Sequence, residues 1–162
     1  MEMNERGVAY TTPGESKSLW VVGELITLKL VGEDTKGAFT LLEEITLPQG
    51  GPPPHLHRRE DETFYVIEGK LEFMVGDRTV PATAGSVLYG PRDILHGFKN
   101  VGTTPSRMIV LVTPAGFEGF FEEVGEPVSD PSSPPPPPGP EDIERILAIG
   151  EKYGNEYPPP PG

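Results

Sequence analysis

The stretch Gly51-Pro52-Pro53-Pro54-His55-Leu56-His57-Arg58-Arg59-Glu60-Asp61-Glu62-Thr63-Phe64-Tyr65 carries two of the chain's three histidines and decides how the rest is read. Residues two apart on an extended strand share a face, so His55 and His57 project together, about 7 Å apart. Glu62 opens the next strand, and a short turn over 58–61 returns its carboxylate to that face. The third histidine, His96, follows the turn Pro91-Arg92-Asp93, opens a further strand and can supply a fourth ligand from across a barrel. Three neutral imidazoles and one carboxylate, with no thiolate, suit a single divalent ion of Fe, Mn, Ni, Co, Cu or Zn. A six-coordinate ion would keep up to two positions for substrate, water or dioxygen. A His-x-His pair on a surface strand is commonly without function, and Glu62 is one of 25 acidic residues. The joint spacing, which uses every histidine in the chain, is what carries the reading.

Outward from this stretch the dominant period is two. Residues 19–22, 25–30, 39–47, 63–67, 71–75, 86–89, 94–100 and 107–113 are short β-branched or aromatic runs, each bounded by Gly, Pro, Asn or Asp. Glu68-Gly69 separates two of them, and Gly76-Asp77 is a two-residue hairpin signal. Such strands without intervening helices imply an all-β antiparallel sandwich or barrel. Helical spacing begins only after Pro114. Phe117, Phe120, Phe121 and Val124 form one apolar stripe, read as a cap on the open end of the barrel or as a gate over a pocket. Ile143, Ile146, Leu147 and Gly150 form another, opened by Pro140-Glu141-Asp142, and its apolar face needs a partner in the same chain or in a second subunit.

Composition sets the outer limits. Of 162 residues, 20 are Gly and 21 Pro, and the proline excess is concentrated at 131–140 and 158–161, where it reads as extended linker and tail. The expected organisation is an N-terminal arm (1–17), a β-barrel (18–125), a Pro-rich linker (126–140), a C-terminal helix (141–153) and a Pro-rich tail (154–162). The absence of cysteine excludes disulfides, thiolate metal sites and cysteine nucleophiles. A net charge of −12 argues against nucleic acid and anionic membrane as partners, since both are held by Lys and Arg. Neither a leader pattern nor an apolar run of about 18 residues is present, so a cytoplasmic location is expected.

The two histidine segments resemble the paired motifs of the cupin superfamily. His55-Leu56-His57, Glu62 and Gly69 match the first motif, G-x5-H-x-H-x3/4-E-x6-G. Gly85, Pro91, His96 and Asn100 match the second, G-x5-P-x-G-x2-H-x3-N. Gly50 stands one residue too close to His55, and Asp93 replaces the second glycine of the second motif. Both departures fall at turns. The resemblance covers most of 20–115 and implies a double-stranded β-helix, or jelly-roll, with the metal inside. The flanks at 19–27 and 114–127 also resemble those of bacterial single-domain quercetinases, which are flavonol dioxygenases, and those of other cupins.

Strand parity adds Phe64 and Val66 to the face of Glu62 and Phe98 to the face of His96, and turns Phe73 inward. These four residues are the expected substrate pocket, suited to a flat apolar or phenolic molecule; ordinary barrel filling is the alternative. Arg58 and Arg59 can meet an anionic substrate or simply solvent, and Asn100 is expected to order a turn. The expected function is a metal-dependent dioxygenase taking a flavonol-like, enolic or phenolic small molecule and dioxygen, with Glu62 as ligand and general base. Isomerisation, epimerisation or decarboxylation by the same site, and binding without catalysis, are the alternatives. A homodimer is expected, formed through the segments before residue 33 and the C-terminal helix.

Overall fold

Alternating inward and outward side chains build the molecule, as in Thr40–Thr46, where every second residue is buried. The computed structural model describes residues 2–3, 7–133 and 137–159. In chain order its elements are β1 (Glu2–Met3), β2 (Ala9–Tyr10), β3 (Lys17–Val21), β4 (Glu24–Leu30), α1 (Gly32–Thr35), β5 (Thr40–Thr46), β6 (Leu56–His57), β7 (Asp61–Glu68), β8 (Lys70–Val75), β9 (Arg78–Thr83), β10 (Val87–Gly90), β11 (His96–Asn100), β12 (Ser106–Thr113), α2 (Glu118–Val124), β13 (Glu126–Pro127), α3 (Pro140–Lys152) and β14 (Asn155–Glu156). Pro134 to Pro136 of the proline tract, with Pro160 and Pro161 of the tail, lie outside the described residues.

One antiparallel sheet runs β10-β7-β12-β5-β4-β3-β13, and a second runs β11-β8-β9. A bridge between His55 and His96, with reciprocal backbone hydrogen bonds of 2.8 Å, joins the short β14-β6 ribbon to the second sheet. The expected jelly-roll is thus present. Between the sheets lie Ile26, Leu42, Val66, Phe73, Met108 and Val112, each 0–1% exposed. Burying each contributes on the order of 1.5–3 kcal/mol.

Three differences from the sequence expectation have physical causes. Strand β9 is absent from the runs predicted above because Pro81 interrupts its pattern; β9 is a sheet edge, where a missing N–H donor is tolerated. Its hairpin with β8 turns on Gly76-Asp77, with Val75 opposite Arg78. The strand predicted over 94–100 begins only at His96, because the turn before it is closed by bonds from Ile94 N–H to the Pro91 carbonyl and from Gly76 N–H to the Leu95 carbonyl. The third difference concerns the segment predicted as a tail from residue 154. Gly154, at φ 71, turns the chain back, and β14 pairs with the ligand strand, Asn155 opposite His57.

Helix α3 packs part of its apolar face on its own chain, while Ile143 and Leu147 stay exposed. Ile146 and Ile149 pack on the core, and Tyr153 Oη donates to Glu123 Oε1 at 2.6 Å, beside the end of α2. Arg58 then clamps the returning segment, donating from Nε and Nη2 to the two Glu156 oxygens at 2.9 Å each and from Nη1 to Asp93 Oδ1 at 3.0 Å. Arg58, open to either role above, is therefore a fastener between three chain segments.

Candidate metal centre

Backbone geometry delivers the four ligands. Gly51, at φ 137, lets the chain pass so close to β11 that a Cβ added there would lie 2.0 Å from the Phe98 carbonyl oxygen. Past it, the prolines bring His55 and His57 alongside His96. The two motif departures both sit in the left-handed region: Gln49, where the first motif has glycine, at φ 68, and Asp93 at φ 67. Asparagine and aspartate tolerate that region better than most residues, and the cost for a residue such as Gln49 is on the order of 1–2 kcal/mol. Asn100, fully buried, orders a turn: its Nδ2 donates to the Thr46 and Thr104 carbonyls at 2.9 Å each, and its Oδ1 accepts from Gly102 N–H.

One ligand atom from each of His55, His57, Glu62 and His96 lies within 4.8 Å of the others, and all four residues are buried, so they could hold a metal ion. Ring centroids are 5.0 Å apart for His55–His57, 4.7 Å for His55–His96 and 5.4 Å for His57–His96. His55 and His96 donate their Nδ1–H to the carbonyls of Pro53 (2.9 Å) and Ile94 (3.0 Å). That assignment leaves the His55 Nε2 lone pair free, the arrangement common to metal-binding histidines, while His96 Nε2 faces Glu62. His57 is 1% exposed and neither of its ring nitrogens has a hydrogen-bond partner, although Nε2 stands 3.1 Å from Glu62 Oε2. A buried nitrogen left in this way costs about 1–3 kcal/mol unless an ion satisfies it.

The electrostatics call for a cation. Glu62 Oε2 is 2.7 Å from His96 Nε2, and two lone pairs at that distance require a proton or a metal between them. Burial works to raise the Glu62 pKa, but the adjoining His57 and His96 rings hold it well below the usual carboxylate range. Burial also opposes charge on His96, and the hydrogen-bonded Glu62 overcomes it, raising that pKa. His55 goes the other way: burial, then the His57 and His96 rings, push it down to about 3, leaving the neutral imidazole that a ligand must be.

Residues 43–112 match the family model described as Cupin domain. The barrel has the cupin fold. An RmlC-like cupin from Shewanella frigidimarina superposes with a TM-score of 0.59 at 17% identity, covering 69% of this chain and 96% of that one. The polyketide cyclase RemF from Streptomyces resistomycificus superposes at 0.56 with 23% identity, covering 65% and 79%. By sequence, the chain is 38% identical over 60 residues to the polyketide synthase CurC of Streptomyces cyaneus, covering 37% of this chain and 39% of CurC. It is 37% identical over 87 residues to germin-like protein 5-1 of Oryza sativa subsp. japonica, covering 50% and 38%. The chain thus spans under two-fifths of the length of these two relatives. Among the described residues, no helix is long and apolar enough to cross a membrane.

A cavity of about 210 Å³ opens within the barrel beside the cluster. Of the four expected pocket residues, Phe64 and Phe98 line it; Val66 and Phe73 are packed in the core and do not. The rest of the wall includes the stripe read from the sequence as cap or gate, together with residues of α3 and the returning segment that were not expected there. Phe117, Phe120 and Phe121 come from the segment read as cap or gate, and Phe117 meets the His57 ring edge-on at 4.5 Å. Ile143, Ile146 and Leu147 come from α3, and Asn155 and Tyr157 from the returning segment, Tyr157 lying 5.4 Å from the His55 ring.

Two further carboxyls, Glu24 and Glu44, also line the cavity and are 9% and 7% exposed. Glu44 lies opposite Ile26, making Glu24 its diagonal neighbour on the inner face. Parity was the available signal, since Glu24 is in phase with Ile26 and Leu28, and Glu44 with Leu42. Burial, then the charge and hydrogen bond of Glu44, raises the Glu24 pKa well above the ordinary carboxyl value. Burial, opposed by the Glu24 hydrogen bond, pushes Glu44 to about 7. The folded protein therefore binds more protons at this pair than the unfolded chain between pH 4.5 and about 7. The pair's contribution to stability is fully present below that window and is lost as pH rises through it. A Glu24→Gln/Glu44→Gln variant should lack this term, and the difference in melting temperature between it and the wild type should shift in its favour from pH 4.5 to pH 7. Parallel melting profiles across that window would refute the raised values.

Proposed function

We propose that this protein is a metal-dependent enzyme acting on a flat enolic or phenolic small molecule, and that the reaction is a dioxygenation. The observation that carries the reading is the opening of a His3Glu cluster into a cavity walled by Phe64, Phe98 and Phe117. An aromatic ring occupies a cavity of about 150 Å³, so 210 Å³ admits a ring bearing substituents. A divalent ion held by His55, His57, Glu62 and His96 would supply Lewis acidity toward an enolate or phenolate oxygen. Glu62 is placed to accept the proton that this oxygen gives up, and the aromatic wall orients the ring and excludes water.

The names of CurC and RemF favour a second reading, in which the same deprotonation serves a non-oxidative step on a polyketide-like enol. Oxygen consumption separates the two. With metal-loaded protein and a flavonol panel including quercetin, dioxygen uptake equimolar with substrate loss is expected. Turnover at an unchanged rate under anaerobic conditions would overturn dioxygenation in favour of the second reading. No turnover of any enol or phenol would leave only a metal- or ligand-binding role.

A further inference from the structure

The cavity has a second polar pole that the metal cluster does not use. Glu24 shares a hydrogen bond with Glu44, yet its Oε1 is buried without a partner, as is Oδ1 of Asn155, a residue 2% exposed. Both residues line the cavity. Tyr157, which also lines it, accepts at Oη from Asn155 Nδ2 at 3.1 Å. Phe64, Phe98 and Phe117 supply apolar wall, so the cavity is polar at the ligand cluster, apolar along its wall and polar again at Glu24.

The two unpartnered atoms are both acceptors. Leaving them bare in the folded state costs free energy that a hydrogen-bond donor recovers. We propose that Glu24, supported by Glu44 and joined by Asn155, is a recognition site for a hydroxyl group at the end of the substrate remote from its metal-seeking oxygen, so that the ligands of this cupin are aromatic molecules hydroxylated at both ends. This rests on the phenolic reading above and narrows it. A buried carboxyl oxygen without a partner gains a hydrogen bond when a hydroxyl reaches it. A molecule with an apolar far end would displace no donor and leave Oε1 as it is, which is how such a site rejects it.

Two probes separate the proposal from the reading on which it rests: 1-naphthol, with a hydroxyl at one end only, and 1,5-dihydroxynaphthalene, with one at each. Their dissociation constants would be measured by calorimetry on the full chain, with metal content determined for each sample. The wild type should bind the dihydroxy compound at least tenfold more tightly. In Glu24→Met, which keeps the volume and removes the acceptor, that ratio should fall to near one. Glu24→Gln, which keeps an amide oxygen, should restore part of the ratio. Equal affinity of the wild type for the two compounds would overturn the second pole and leave the phenolic reading standing; it needs no variant and so does not depend on how Glu24→Met folds. Binding of neither compound would overturn both. A ratio that survives in a folded Glu24→Met protein would move the recognition elsewhere and refute the role of Glu24.

Discussion

Gly51→Ala should lower the unfolding free energy by about 2–6 kcal/mol and, in whatever protein remains folded, strip most of the metal-binding capacity. Two costs add. A φ of 137 is a conformation that side-chain-bearing residues rarely adopt, worth on the order of 1–3 kcal/mol. The new methyl would meet the Phe98 carbonyl oxygen at 2.0 Å and the Lys99 Cα at 3.1 Å, both backbone atoms that can retreat only by moving β11. Overpacking of this kind adds about 1–3 kcal/mol. The displacement is not confined to the turn, because β11 carries His96 and the segment after Gly51 carries His55 and His57. Thermal melting and elemental analysis after metal reconstitution would check both halves. A variant melting within about 2 °C of the wild type with full metal content would show that the close approach is not required. Gly50, whose Cβ would meet the Leu47 carbonyl oxygen at 3.0 Å, makes the milder comparison.

Glu62→Gln should reduce turnover by about 10²–10⁴-fold, the range that a positioned acid or base contributes, while most of the metal is retained. The amide keeps the shape and one oxygen donor, and three histidines remain to bind. What is lost is a group able to take a proton from the substrate. The reference state for this comparison is a carboxyl whose pKa the His57 and His96 rings, against the opposing effect of burial, hold well below the usual range. Measurement of rate per bound metal, rather than per protein, separates the two effects. A Glu62→Gln protein with full occupancy and an unchanged rate per metal would remove Glu62 from the proton-transfer step.

Much of this site could be read from the sequence because strand periodicity is local. His55 and His57 share a face whatever surrounds them, and the glycine, proline and asparagine punctuation around His96 fixes where its strand starts to within two residues. Parity also placed Phe64 and Phe98 on inner faces. It could not separate them from Val66 and Phe73, since the inner face of a strand passes from cavity wall to core with no change in period. Glu24 was passed over because a carboxylate at the first position of a strand reads as solvated, although its parity with Ile26 and Leu28 turns it inward. Tyr157 had no local signal at all. Its place depends on Arg58 finding Glu156, 98 residues away, and on a helix docking between them. The proline tract before that helix reads as the start of a tail, which hid the fact that the chain comes back.

That return has a consequence for how the molecule is made. Domains generally form in the order of synthesis, N-terminal segments first. The four ligands all lie between residues 55 and 96, and their strands can assemble once β12 has emerged. Asn155 and Tyr157 follow only after the proline tract and α3. A nascent barrel thus holds its ligand set before α3 and the returning segment have added their part of the cavity wall, so metal arriving during synthesis meets a wider mouth than metal arriving at the finished molecule.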